Sequence, residues 1–232
     1  MKYEMILFDI DDTLMDFSKS EHAALHNTFM NYEMPTGFSD YHDSYREISQ
    51  GIWAQLEAGE MELTQLGVER FRRLFETNAL DLDAQTFSEG YLGYLGRETH
   101  LMEGAEQLCR NLDCRMAVIT NGFGTVQKAR IQNSPLKDSF EALIISEETG
   151  FQKPHSGIFD YAFEKLQLKD KSKVLIVGDS LTSDIKGGHA YGIDTCWFNP
   201  LQKPNHAGVT PTYEIRKLAE VTGIVEGIKS IK

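Results

Sequence analysis

The stretch Ile6-Leu7-Phe8-Asp9-Ile10-Asp11-Asp12-Thr13-Leu14 decides how the rest of the chain is read. An apolar run ends at a crowd of carboxylates. Short runs rich in Val, Ile, Leu and Phe read as buried strands of a parallel sheet, and such sheets place reactive groups just past the carboxyl ends of their strands. Carboxylates this close repel one another and need a cation, or a proton on one of them, to coexist. The stretch therefore points to a metal site or a catalytic pair at the start of an α/β fold. The competing reading is an acidic turn with a helix cap.

Working outward, Met5–Phe8, Met116–Ile119, Ala142–Ile145, Val174–Val177 and Thr195–Phe198 read as strands. Helical spacing fills the later gaps: Val126 to Ile131, then Ile158, Ala162 and Leu166, then Leu181 to Tyr191. Strands alternating with helices predict a doubly wound parallel, Rossmann-like sheet. The gap between the first two strands is far longer than a crossover needs. Its apolar residues recur at helical spacing, as in Leu25 and Phe29, in Ile48, Ile52 and Leu56, and in Phe71, Leu74 and Phe75; Tyr91 and Leu95 continue the pattern. Pro35-Thr36-Gly37 and Ala58-Gly59-Glu60 read as breaks between helices. The expected organisation is an α/β core of residues 1–14 and 99–232, with an all-helical cap domain inserted at 15–98. Inserted at that point, it is expected over the carboxyl edge of the sheet as a lid.

The 232 residues carry a formal net charge of −12, which argues against an electrostatic grip on nucleic acid or on an anionic membrane. A small anionic substrate stays open, because a metal ion reverses the local field. Cys109, Cys114 and Cys196 show no metal or redox spacing and read as reduced thiols. With no room for a signal peptide before the first strand and no membrane-length apolar run, the expected location is cytoplasmic.

Further chemistry gathers at the later strand ends. Ile119-Thr120-Asn121-Gly122 offers a hydroxyl, an amide and a glycine suited to phosphate oxygens, although Asn-Gly is also an ordinary turn. Gly150-Phe151-Gln152-Lys153-Pro154 holds a lysine that the proline restricts to extended geometry; the alternative is a solvated surface lysine. Val177-Gly178-Asp179-Ser180-Leu181-Thr182-Ser183-Asp184 brings two more acids after an apolar run, with Asp179 or Ser180 also able to cap the next helix. Hard cations such as Mg2+ take carboxylate and carbonyl oxygens.

Taken in order, Asp9-x-Asp11-x-Thr13, Thr120, Lys153 and Gly178-Asp179-(x4)-Asp184 resemble the four motifs of the haloacid dehalogenase superfamily, and the insertion is similar to its helical type of cap. The resemblance spans nearly the whole chain. It implies Asp9 as the nucleophile that forms an aspartyl-phosphate, and Asp11 as general acid for the leaving alkoxide and then base for the attacking water. It implies Mg2+ held by Asp9, the Asp11 carbonyl and Asp179, with Asp184 in support, and phosphate held by Thr120, the Asn121 backbone and Lys153. These roles are physically consistent: a carboxylate attacking a phosphate dianion needs a bridging cation, and Lys153 adds a second positive charge. Dehalogenases of this superfamily lack the second aspartate because a halide needs no proton, so Asp11 favours a phosphatase. A phosphomutase shares all four motifs. A phospho-receiver module is the rival from another class, disfavoured by the chain's length and by the acids that follow the lysine.

The substrate is less legible. Phe17, Tyr41, Tyr45, Trp53, Phe71 and Phe75 could stack on a base, but most suit the core of the cap. His22 and His26 share a helix face with no third ligand in sight. Asn121-Gly122-Phe123, Ile145-Ser146-Glu147-Glu148, Lys153-Pro154 with Ile158 to Ala162, Thr195-Cys196-Trp197 and the Phe17 segment are similar to the pyrimidine 5′-nucleotidase branch. That resemblance implies a small phosphorylated metabolite as partner, a pyrimidine nucleoside 5′-monophosphate; phosphoglycolate and sugar phosphates are the competing substrates. A monomer or weak homodimer is expected.

Overall fold

The computed structural model describes residues 1–227, the side chain of Glu57 excepted. The chain divides into two compact units, one of residues 1–17 with 99–232 and one of residues 18–98.

The first unit is built on a six-stranded parallel sheet in the order β3-β2-β1-β4-β5-β6. The strands are β1 (Met5–Phe8), β2 (Arg115–Thr120), β3 (Leu143–Ile145), β4 (Val174–Gly178), β5 (Asp194–Phe198) and β6 (Tyr213–Ile215). The helices of this unit are α5 (Ala105–Asn111), α6 (Gly124–Gln132), α7 (Ser146–Thr149), α8 (Ser156–Lys165), α9 (Lys186–Tyr191) and α10 (Glu220–Glu226). Strand side chains alternate between faces. Ile6, Phe8, Leu175 and Val177 face α5 and α10, whereas Met5, Leu7, Val174 and Ile176 face α8. Burial on both faces explains why these strands read as unbroken apolar runs.

Register sets up the active edge. Phe8 is level with both Val118 of β2 and Val177 of β4, so the residues just beyond them emerge side by side. The backbone N–H of Asp9 continues the ladder to the carbonyl of Val177 at 3.0 Å. The chain builds the sheet outward from β1 to β3 on one side and through β4 to β6 on the other. The β1–β4 junction is thus the topological switch point, where a sheet of this kind offers a crevice.

Four features differ from the sequence expectation. β6 has a mixed pattern and only three residues; it joins because Ile215 pairs with Phe198 and its carbonyl accepts from Asn199 N–H at 2.8 Å. The segment expected as one helix from Leu181 begins as a π-helical turn, Leu181–Ile185, before α9. There Asp184 folds back so that Oδ2 accepts from the Ser180 N–H at 3.1 Å. The return from the insertion includes α5, whose seven residues are too few for a clear helical period. Met15 and Asp16 belong to the first unit: Met15 bridges Leu101, and the Asp16 N–H donates to the His100 carbonyl at 2.8 Å.

The second unit holds most of α1 (Phe17–Asn31), with α2 (Gly37–Glu57), α3 (Leu63–Thr77) and α4 (Ala84–Leu95). Its core is aromatic. Phe71 lies 4.8 Å from Phe87, 5.3 Å from Tyr91 and 5.8 Å from Tyr45, centroid to centroid. Arg70 is buried there, its guanidinium 4.5 Å from the Tyr91 ring centroid.

Candidate active site

Asp9 leaves β1 and Asp179 leaves β4, and the π-helical turn returns Asp184 to them. One carboxylate oxygen from each of the three lies within 4.8 Å of the others. Gly178 makes this possible: a Cβ there would sit 2.2 Å from Asp184 Oδ2. Lys153 Nζ, almost wholly buried, donates to Asp9 Oδ1, Asp184 Oδ1 and the Ile119 carbonyl, each at 2.7 Å. Its three donors are thereby engaged. Three carboxylates against one ammonium leave this cluster negative.

That imbalance shows in proton affinity. Burial lifts the Asp9 carboxyl to about 7, with Lys153 opposing and the Asp184 and Asp11 charges adding to the rise. Burial, with the neighbouring Asp184, Asp9 and Asp12, holds Asp179 well above the usual carboxylate range. Burial alone would lower the Lys153 ammonium, but the Asp184 and Asp9 charges outweigh it and hold it above its ordinary value. The donor set is hard oxygen, buried and short of positive charge, which fits a divalent cation such as Mg2+. The indole Nε1 of Trp197 donates to the Asp179 carbonyl at 2.9 Å and steadies this loop.

Asp11 stands apart from that cluster. Its carboxylate is held by α6: Gln127 Nε2 donates to Oδ2 at 2.6 Å, and the buried Arg130 Nη1 donates to Oδ1. Thr120 Oγ1 accepts from the Gly122 N–H at 3.1 Å and from Gln127 Nε2 at 3.3 Å. Asn121 engages its side chain on the Lys153 backbone, accepting from N–H at 2.8 Å and donating to the carbonyl at 2.9 Å. Asp12 adopts φ 57°, and its Oδ1 accepts from the Phe17 N–H at 3.0 Å, which is turn chemistry. Among the described residues, the structure thus bonds Lys153 to Asp9 and Asp184, brings Asp179 within 4.8 Å of those two carboxylates, and ties Asp11 to Thr120 through Gln127.

Gln127 and Arg130 were absent from the sequence reading. Their signal was there: two polar residues on one helical face beside the apolar Val126 and Ile131, immediately after a strand-end motif. In the helical unit, Tyr45, Phe71 and Phe75 are core residues. His22 lies tilted against Phe38, ring centroids 4.0 Å apart, and joins no metal cluster among the described residues.

The haloacid dehalogenase-like hydrolase family matches residues 3–192. The chain belongs to that family. It is 38% identical to the HAD-hydrolase YfnB of Bacillus subtilis, over 97% of this chain and 96% of that protein. The crystal structure of YfnB, bound to magnesium, superposes with a TM-score of 0.91 over 97% of this chain and 99% of that one. The pyrimidine 5′-nucleotidases YjjG of Escherichia coli and PynA of Streptococcus pneumoniae are 33% and 34% identical. YjjG aligns over 95% of this chain and 97% of its own, PynA over 93% and 92%. As a family member the protein is a hydrolase with a Rossmann-like α/β fold.

Proposed function

We propose that the protein is a Mg2+-dependent phosphomonoester hydrolase that works through an aspartyl-phosphate on Asp9, with pyrimidine nucleoside 5′-monophosphates as its substrates. The observation that carries this reading is the division of labour between the two carboxylates. Asp9 sits in a buried acidic cluster beside a lysine, while Asp11 is held separately, linked to Thr120 through Gln127.

In this mechanism Thr120, the Asn121 backbone and Lys153 hold the phosphoryl group. Asp9 attacks phosphorus as Asp11 gives its proton to the departing alkoxide. Asp11 then takes a proton from water as the water oxygen attacks phosphorus and the Asp9–phosphorus bond breaks. Serving twice, one acid/base supports both displacements. Asp9, Asp179, Asp184 and the Asp11 carbonyl would hold Mg2+. When bound, the ion offsets the repulsion between carboxylate and phosphate dianion.

The nucleotidase part rests on the two relatives of that activity and on their near full-length alignment. On this reading the helical unit is a cap, the partner is a small phosphorylated metabolite in the cytoplasm, and nucleic acid is not a ligand. Phosphate release from UMP, dUMP, dTMP and AMP, measured beside sugar phosphates and phosphoglycolate, tests it. Pyrimidine monophosphates are expected to lead in kcat/KM. A wide margin for sugar phosphates or phosphoglycolate would overturn the nucleotidase reading, and no Mg2+-dependent turnover of any ester would overturn the phosphatase.

A further inference from the structure

We propose that Gln127 and Arg130 form a clamp that positions the Asp11 carboxylate for proton transfer to the leaving group; the inference rests on the phosphatase reading above. Each oxygen of Asp11 has its own donor on α6, Gln127 Nε2 on Oδ2 and Arg130 Nη1 on Oδ1. A carboxylate with one bond to each oxygen keeps lone pairs free to carry a proton, yet loses the freedom to rotate.

The clamp is internally ordered. Arg130 Nη1 also donates to Gln127 Oε1 at 3.1 Å. A guanidinium only donates, so the amide oxygen must face Arg130, and the Gln127 NH2 group must face Asp11 and Thr120. Arg130 therefore acts twice, once on Asp11 directly and once by setting the orientation of Gln127. Gln127 in turn couples the acid/base to the hydroxyl proposed to hold the phosphate.

Two further observations show that the fold is arranged around this pair. Gly122 leaves the space the amide fills: a Cβ there would meet Gln127 Nε2 at 2.2 Å and Cδ at 2.9 Å. The start of α6 is fixed by Glu147, whose Oε2 accepts from the Gly124 N–H at 2.7 Å, while Val126 and Ile131 are buried. Positions 127 and 130 are three apart and share one helical face. A buried guanidinium is costly unless it is paired, and here a reactive carboxylate is its partner.

In the step concerned, the O–P bond to the leaving group breaks as the Asp9 oxygen–phosphorus bond forms. The Asp11 proton passes to the departing oxygen, leaving alcohol and a carboxylate. An aryl oxide needs that proton far less than an alkoxide. kcat/KM reports events up to the first irreversible step, phosphoryl transfer to Asp9, so later hydrolysis of the aspartyl-phosphate does not enter.

The test compares kcat/KM for p-nitrophenyl phosphate with that for the best alkyl phosphate of the panel, in Gln127→Leu, Arg130→Met and Arg130→Lys. The expected result is a loss of roughly 10²-fold or more on the alkyl ester, the scale of general acid catalysis, against less than about 10-fold on the aryl ester. Arg130→Lys, which restores one donor, is expected to recover part of the difference. The Mg2+ titration midpoint should stay near that of the unaltered protein. Equal losses on the two esters, or no loss on either, would overturn the clamp. If Arg130→Met fails to fold, Gln127→Leu, which removes no charge, carries the same comparison. An unaltered protein inactive on both esters would overturn the phosphatase reading itself, and the clamp with it.

Discussion

In the helical unit the deepest charge, Arg70, lies among neutral rings: its guanidinium is 4.5 Å from the Tyr91 ring centroid and 5.0 Å from that of Phe71, and its Nη1 reaches the Tyr45 hydroxyl at 3.4 Å. Tyr45 passes the contact on to Glu21, donating to Oε1 at 2.8 Å. At the carboxyl edge of the sheet the buried Lys153 lies among carboxylates that outnumber it. A weakly hydrated guanidinium is at ease against aromatic faces. Carboxylates gathered around a single ammonium are not at ease in the absence of further positive charge. The first arrangement serves the stability of its own core. The second costs stability, a cost that the proposed metal and phosphate site would explain.

Removing the proposed nucleophile should divide the two roles most sharply. Asp9→Asn is expected to lower phosphatase turnover by at least ~10⁴-fold, the scale of losing a covalent nucleophile. The same change should raise the melting temperature of the metal-free protein, because a buried like-charge contact disappears while the shape is kept. A fall in both quantities would remove the contrast between site and scaffold.

Charge deletion in each unit comes next. Lys153→Met should destabilise the metal-free protein by about 3–5 kcal/mol in urea titrations, since it strands buried carboxylates. Arg70→Met should cost less than about 2 kcal/mol, because the rings and the hydroxyl that Arg70 touches are neutral, so its removal does not strand them as buried charges. Equal costs would mean that both cations serve the same structural purpose.

The smallest effect concerns pH. Asp9, Asp12 and Asp179 bind protons more readily in the folded protein than in the unfolded chain. Between about pH 4, the ordinary carboxylate range, and the Asp9 value near 7, the folded state therefore holds more protons, and metal-free stability falls as pH rises. Cations bind the ionised form. Saturating Mg2+ should consequently raise the melting temperature more at about pH 8 than at about pH 5. A shift independent of pH would place the ion away from Asp9.

Much of the α/β unit was legible because its signal is local. β1 and β4 are buried on both faces, and their apolar runs end where the acids begin. β6 was not legible, since its three residues join only through pairing with Phe198 and the Asn199 N–H. Asp9 and Asp179 directly follow strands, Thr120 ends one, and Lys153 and Asp184 lie in the segments that come after one, so position along the chain singled them out. Gln127 and Arg130 sit inside the short helix α6 rather than at a strand end, so only their place beside the apolar Val126 and Ile131 hints that they are buried.

Sequence alone determined which residue types stand at the strand ends, their order and the long helical interruption, because strand period, turn chemistry and charge crowding are properties of neighbours in the chain. Only the tertiary structure decided that Gly178 makes room for Asp184, that Gly122 makes room for Gln127, and that Asp11 is held from α6. The two glycine contacts depend on how a turn folds back on itself, and the hold on Asp11 joins segments up to 119 residues apart; neither leaves a trace in the periodicity of neighbouring residues.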